Sequence, residues 1–193
     1  MQAVRKPNRS RVGPLRVGYV GRIFPIKGLH VLVKAVRVLD QSVNLLLDIY
    51  GPESDEESRS YRAELDRMAA GDNRIQFRGA LSTDRIPEVM GTYDVLAVPS
   101  QCLETGPLVA LEAQAVGVPI LGLNLGGIAE LVKHDRDGWL LRYDDVGAWS
   151  SALDRLCRDR GILERLSAGI GPVRTMRTVA EEMAAIYQGL LAA

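Results

Sequence analysis

The chain has 193 residues, 47% of them hydrophobic and 25% charged, and its 24 basic and 24 acidic side chains cancel at pH 7. That length supports one well-formed core rather than two full domains, and the composition is that of a globular protein, not a disordered one. Without a net positive charge the chain lacks the electrostatic footprint of a nucleic-acid binder, so nucleic acid is not expected as a partner.

Cys102 and Cys157 are too few for a disulfide framework. They form neither a CysXxxXxxCys pair nor a zinc pattern with His30 and His134, so a reducing, cytoplasmic setting is predicted. The first residues are basic and polar without the apolar run of a signal peptide. No segment approaches the roughly 20 apolar residues that span a bilayer.

Residues 1–14 read as a linker into the first strand. Apolar runs with strand character follow at Leu15 to Val20, Asn44 to Tyr50, Arg74 to Phe77, Tyr93 to Val98, Val118 to Gly122 and Gly138 to Leu141. Helical stretches lie between them at Lys27 to Leu39, Glu56 to Ala70, Thr83 to Met90, Leu108 to Val116 and Ile128 to Val132. Strand and helix alternating through short connections predict an α/β fold: a single Rossmann-like domain over 15–171, with about six parallel strands and helices on both faces. Past Leu141 only helices are expected, at Asp144 to Arg158, capped by Asp144 or Asp145, at Gly161 to Ala168 and at Pro172 to Leu191.

Parallel sheets bind ligands beyond the C-terminal ends of their strands. Directly after the first strand, GlyArgIlePheProIleLysGly (21–28) brings Arg22 and Lys27 to that edge, where guanidinium and ammonium grip phosphate; the alternative is a solvated basic loop. PheArgGlyAla (77–80) turns towards Ser82 or Thr83 as a helix cap, which reads first as an ordinary strand-to-helix turn and otherwise as backbone placed to face a flat base. Gly18 and Gly21 do not make the GlyXxxGlyXxxXxxGly fingerprint, which argues against an NAD-type enzyme.

Glu104 and Glu112 are the only charges between Asp94 and Glu130. Pro99 and Ser100 end the fourth strand as turn residues, so Glu104 sits in the loop beyond it. Pro107 suits the first position of the next helix, which runs from Leu108 to a stop at Gly117. That helix is apolar except for Glu112 and Gln114, which predicts burial on nearly all sides and leaves the Glu112 carboxylate in need of a partner. The helix start around Gly106, Pro107 and Leu108 offers an anion site. Two carboxylates beside it point to a polyol carrying phosphate, a nucleotide sugar; the alternative is a satisfied buried Glu112 and an ordinary loop Glu104.

GlyGlyIleAlaGlu (126–130) places two glycines where backbone can approach a ligand closely, or Glu130 where it favours a helix start. AspArgAsp (135–137) has a metal-binding spacing but falls where a turn is expected. His30 and His134 read as solvent or packing residues.

In this order and spacing, GlyArg with Lys27 and Gly28, ProSer with Glu104, GluAla at Glu112, and GlyGly with Glu130 before AspGlyTrpLeu resemble the C-terminal, donor-binding half of family 4 retaining glycosyltransferases. These have the two-domain GT-B fold, and the resemblance runs from about Leu15 onward. It implies that Arg22, Lys27 and Glu104 serve catalysis. Gly21, Arg22, Lys27, Gly79, Ala80, Leu81, Glu104, Thr105, Gly106, Pro107, Leu108 and Glu112 would bind the donor, with Glu112 on the ribose and Gly79 to Leu81 facing the base. Neither cofactor nor essential metal is implied. Many members carry GluXxxPheGly where this chain has GluThrGlyPro.

The same resemblance implies an N-terminal acceptor-binding domain or partner chain, reached by a helix over 172–193, without which no sugar is transferred. Membrane contact is expected only through that part, and the last helix invites dimerisation of the chain by itself. Competing expectations are an epimerase or phosphorylase of like architecture, a non-catalytic binding module, and a flavodoxin-like regulatory domain.

Overall fold

A computed structural model describes residues 13–191. The expected linker lies mostly outside the described residues; Gly13 and Pro14 lead directly into β1 (Leu15–Val20). The remaining strands are β2 (Leu45–Tyr50), β3 (Ile75–Gly79), β4 (Val95–Val98), β5 (Ile120–Leu123) and β6 (Gly138–Leu141). Between them stand α1 (Leu29–Arg37), α2 (Glu56–Ala69), α3 (Ile86–Met90), α4 (Leu108–Ala115) and α5 (Gly126–Leu131). The helices α6 (Val146–Arg158), α7 (Gly161–Gly169) and α8 (Met176–Leu191) close the chain.

Local chemistry sets the boundaries. Asp55 and Ser58 form a reciprocal capping box at the start of α2, and the Asp145 carboxylate caps α6 by accepting from the Ala148 N–H at 2.7 Å. Ser82 precedes a short 3-10 turn, Thr83–Arg85, and caps it without its side chain. Pro107 occupies the N-cap of α4 rather than its first helical position.

All strands are parallel, in the order β3-β2-β1-β4-β5-β6. The chain works outward from β1 in one direction, then returns to the other side with β4. This reversal leaves a crevice outside the C-terminal ends of β1 and β4, where neighbouring loops run to opposite faces. A flavodoxin-like sheet would run 2-1-3-4-5, so the order overturns the regulatory-domain alternative.

Helices cover both faces. Tyr19, Leu47 and Ile49 pack with α1, α6 and α7 around the fully buried Trp149, Leu153 and Leu163. On the other face Leu96, Val98 and Ile120 meet Met90, Ala110, Ala113 and Ile128 from α3, α4 and α5. Burial of these aliphatic and aromatic side chains, worth about 1.5–3 kcal/mol each, is what holds the helices to the sheet. The last helix differs: α8 has no buried residue, and Met176, Ile186, Tyr187 and Leu190 are exposed.

Candidate functional site

The loops leaving β1 and β4 are stitched together above the crevice. Gly28, with φ of 71°, lies so close to Pro99 that a Cβ there would stand 2.0 Å from the Pro99 carbonyl oxygen. The Gln101 N–H donates to the Ile26 carbonyl at 2.8 Å. Only glycine combines a left-handed backbone with that approach. The result places Lys27 against Glu104, Nζ to Oε1 at 2.7 Å, across the switch point.

Ser100, itself buried, donates its hydroxyl to the same Oε1 of Glu104 at 2.5 Å. Burial raises the Glu104 pKa, but the hydrogen bonds from Lys27 and Ser100 and the Lys27 charge together outweigh it. The carboxyl is therefore held below its usual range and is ionised at neutral pH. Arg22 is tied by its backbone: its carbonyl accepts from the Tyr19 hydroxyl at 2.8 Å. Its exposed guanidinium lies over Phe24 and has no carboxylate partner among the described residues.

A cleft of about 270 Å³ is lined by Gly21, Arg22, Lys27, Ser100, Glu104, Gly106 and Leu108, with Tyr19 at its floor. Two cations, one carboxylate and the start of α4, which no side chain caps, converge there. Such an arrangement receives an anionic group on one side and hydroxyl donors on the other.

α4 departs from the expected burial. Ala110, Ala113 and Gln114 face the core, while Leu108 is 71% exposed and shares its outward stripe with Glu112 and Ala115. Small residues bring the helix close to the sheet on one side, and the other side is left to the cleft. Glu112, one turn beyond Leu108, is half-buried and has no side-chain partner among the described residues. Desolvation alone raises its pKa.

Thr105 lies exposed on the rim, and Pro107 is buried against Gly127. Gly79, Ala80 and Leu81 do not line the cleft. They end β3, two strands from β1, linked by the Gly51 N–H donating to the Gly79 carbonyl and the Gly21 N–H to Tyr50.

The paired glycines lie close against the protein's own backbone. The Gly127 N–H donates to the Glu104 carbonyl at 2.6 Å, and a Cβ on Gly127 would stand 2.5 Å from that oxygen. Glu130 sits in the last turn of α5, not the first. AspArgAsp is a turn: Asp135, with φ of 61°, accepts from the Trp139 indole at 2.7 Å, and Asp137 accepts from the Lys133 N–H at 2.8 Å. Both histidines have partners, His30 the Tyr61 hydroxyl and His134 the Leu140 N–H.

Sequence reasoning missed Tyr19 and Ser100. Tyr19 reads as a core residue of β1, and Ser100 as a turn residue; the signal at Ser100 was its place in the ProSer pair four residues ahead of the loop glutamate.

A family model described as glycosyl transferases group 1 matches residues 1–169. The chain belongs to that family. It is 36% identical over 176 residues to a D-inositol 3-phosphate glycosyltransferase of Stackebrandtia nassauensis, covering 83% of this chain and 39% of that protein. The Alr3699/HepE protein of Anabaena, solved in complex with UDP and glucose, superposes with a TM-score of 0.79 at 22% identity, over 92% of this chain and 49% of that one. The C-terminal domain of a glycosyl transferase group 1 family protein, LpcC of Francisella tularensis, superposes with a TM-score of 0.71 at 23% identity, over 80% and 81%. The chain spans between 33% and 49% of the length of the first curated relatives it matches. Its fold is that of a C-terminal GT-B glycosyltransferase domain: one Rossmann-like unit with a six-stranded parallel sheet.

Proposed function

We propose that this chain is the donor-binding half of a retaining, family 4 glycosyltransferase that moves a hexosyl group from a nucleotide-diphosphate sugar to an acceptor in glycan or glycoconjugate synthesis. The observation that carries this reading is the Lys27 and Glu104 pair at the switch point, in a cleft shared with Arg22, and the half-buried Glu112 on the next helix; neither Arg22 nor Glu112 has an ion-pair partner among the described residues. The occurrence of UDP and glucose in the structural relative supports the ligand class.

In this reading Arg22 and Lys27 neutralise the diphosphate, and their charge counts most as the nucleoside diphosphate departs. The two cations take the part that a divalent metal plays elsewhere, so no essential metal is required. Glu104 accepts from hydroxyls of the transferred sugar, Thr105 to Leu108 border it, and Glu112 accepts from the vicinal hydroxyls of the ribose. Burying Glu112 without a protein partner makes sense when a diol supplies the hydrogen bonds. Backbone at Gly79 to Leu81 meets the base.

The acceptor is bound by another domain or chain, which closes over the cleft, excludes water and packs against the exposed face of α8. The reaction is cytoplasmic, and contact with the inner face of a membrane comes through that other part. By itself this chain binds donor weakly, transfers no sugar, and self-associates through α8.

Calorimetric titration with UDP, GDP, ADP and their hexose conjugates tests the reading. One nucleotide is expected to bind selectively with a Kd between about 10 μM and 1 mM, and to lose affinity in both Lys27→Ala and Glu112→Ala. No binding to any of them, or full affinity in both variants, would count against it.

A further inference from the structure

Glu104 carries all of its bonds on one oxygen. Lys27 Nζ and Ser100 Oγ both donate to Oε1, at 2.7 and 2.5 Å, while Oε2 has no partner among the described residues. An ionised carboxylate only accepts, so the single Ser100 proton goes to Glu104. The Cys102 thiol, 3.4 Å from Ser100 Oγ, is then the donor in that contact. A directed chain runs from Cys102 through Ser100 to Glu104, and it does not involve Lys27.

The two anchors differ in permanence. Lys27 ends a short 3-10 turn, Pro25–Lys27, and lines the cleft, where an arriving diphosphate competes for its charge. Ser100, two residues past β4, also borders the cleft, but it is only 4% exposed and its neutral hydroxyl offers an arriving diphosphate no charge to compete for. We infer that Ser100 is a positioning residue of the donor site, holding Oε1 of Glu104 so that Oε2 stays free for the donor sugar when Lys27 turns to the diphosphate. This rests on the donor-binding reading above.

Two measurements separate the inference from that reading. In titrations with the nucleoside diphosphate that binds and with its glucose conjugate, Ser100→Ala should lose about tenfold more affinity for the conjugate than for the diphosphate. Ser100→Thr, which keeps the hydroxyl, should recover most of that difference. Lys27→Ala should weaken both ligands. Equal losses for the two ligands in Ser100→Ala, or no recovery in Ser100→Thr, would overturn the inference.

In the ligand-free chain, NMR titration of the Glu104 carboxyl should show its pKa rising in Ser100→Ala, with a smaller rise in Cys102→Ala. An unchanged pKa in Ser100→Ala would overturn the inference whether or not any nucleotide binds. Absence of nucleotide binding in the wild type would instead sink the donor-binding reading itself.

Discussion

Both edges of the sheet carry a close ion pair, and the two pairs differ in how many bonds are left to make. At the N-terminal edge Asp72 and Arg74 are joined twice, Nε to Oδ1 at 2.9 Å and NH2 to Oδ2 at 2.7 Å, with the Asp72 side chain wholly buried. Arg74 spends its other donors on the carbonyls of Val36 and Asp40, tying the approach to β3 to the region closing α1. At the C-terminal edge Lys27 and Glu104 meet once, each about one-fifth exposed, and Oε2 stays free.

Cavity size does not distinguish these edges in favour of the site. The N-terminal edge has the larger space, about 480 Å³ beside Asn44, Asp154, Cys157 and Arg160. Its arginines are already engaged, Arg158 with Asp154 and Arg160 with Asp94 and the Gly13 carbonyl. A saturated network holds the fold; an unsaturated one has capacity for a ligand.

Breaking the saturated pair should cost the most. Arg74→Ala leaves the buried Asp72 with Arg37, at 3.8 Å, as its remaining cation, and is expected to lower stability by about 3 kcal/mol in urea denaturation, with nucleotide affinity intact wherever the variant is folded. A loss below about 1 kcal/mol would mean the two edges do not differ as described. Lys27→Ala should show the reverse: stability within about 1 kcal/mol of wild type, but donor affinity reduced about tenfold or more. Gly127→Ala tests the scaffold between these extremes. Its new methyl meets the Glu104 carbonyl, so a loss of about 1–3 kcal/mol is expected together with weaker donor binding.

Acid titration sharpens the contrast. Asp72, held down first by its hydrogen bond from Arg74, and Glu104 both have folded pKa values below their ordinary ones. Each contributes stability that is present above the ordinary carboxylate range, about pH 4, and is lost as pH falls through the folded value. The melting temperature should therefore drop on acidification below about pH 4, and less steeply in Arg74→Ala. Glu112 has the opposite sign, since burial raises its pKa. Its contribution is present below its ordinary range and lost as pH rises through the raised value. Glu112→Gln should thus melt slightly higher than wild type at pH 7, equally at pH 3, and bind donor less well; a lower melting point at pH 7 would point to a partner that Glu112 does not have in this structure.

The sequence was most legible where information is local. β1 and β6 were read to the residue, because short runs rich in apolar and aromatic residues, flanked by turn residues, mark a strand without outside help. Order in the sheet was not legible, since a strand does not name its neighbours, yet that order is what joins Lys27 to Glu104. Apolar composition misled at α4, where Leu108 faces outward. An apolar residue in a cleft looks the same in sequence as one in a core. The glycines at 126 and 127 were read as a place for backbone to approach a ligand, and sequence could not say that the Glu104 backbone lies against them. Ser100 was missed for the same reason: its role depends on how the loop folds back.

The most direct measurement is NMR mapping of backbone amides during titration with UDP, or with whichever of UDP, GDP and ADP binds. Shifts are predicted to concentrate at Gly21 to Gly28, Gly79 to Leu81 and Glu104 to Glu112, and to require about tenfold or more nucleotide in Lys27→Ala. Shifts centred instead on Asn44, Asp154, Cys157 and Arg160 at the opposite edge, or none at saturating nucleotide, would contradict a donor site at the switch point.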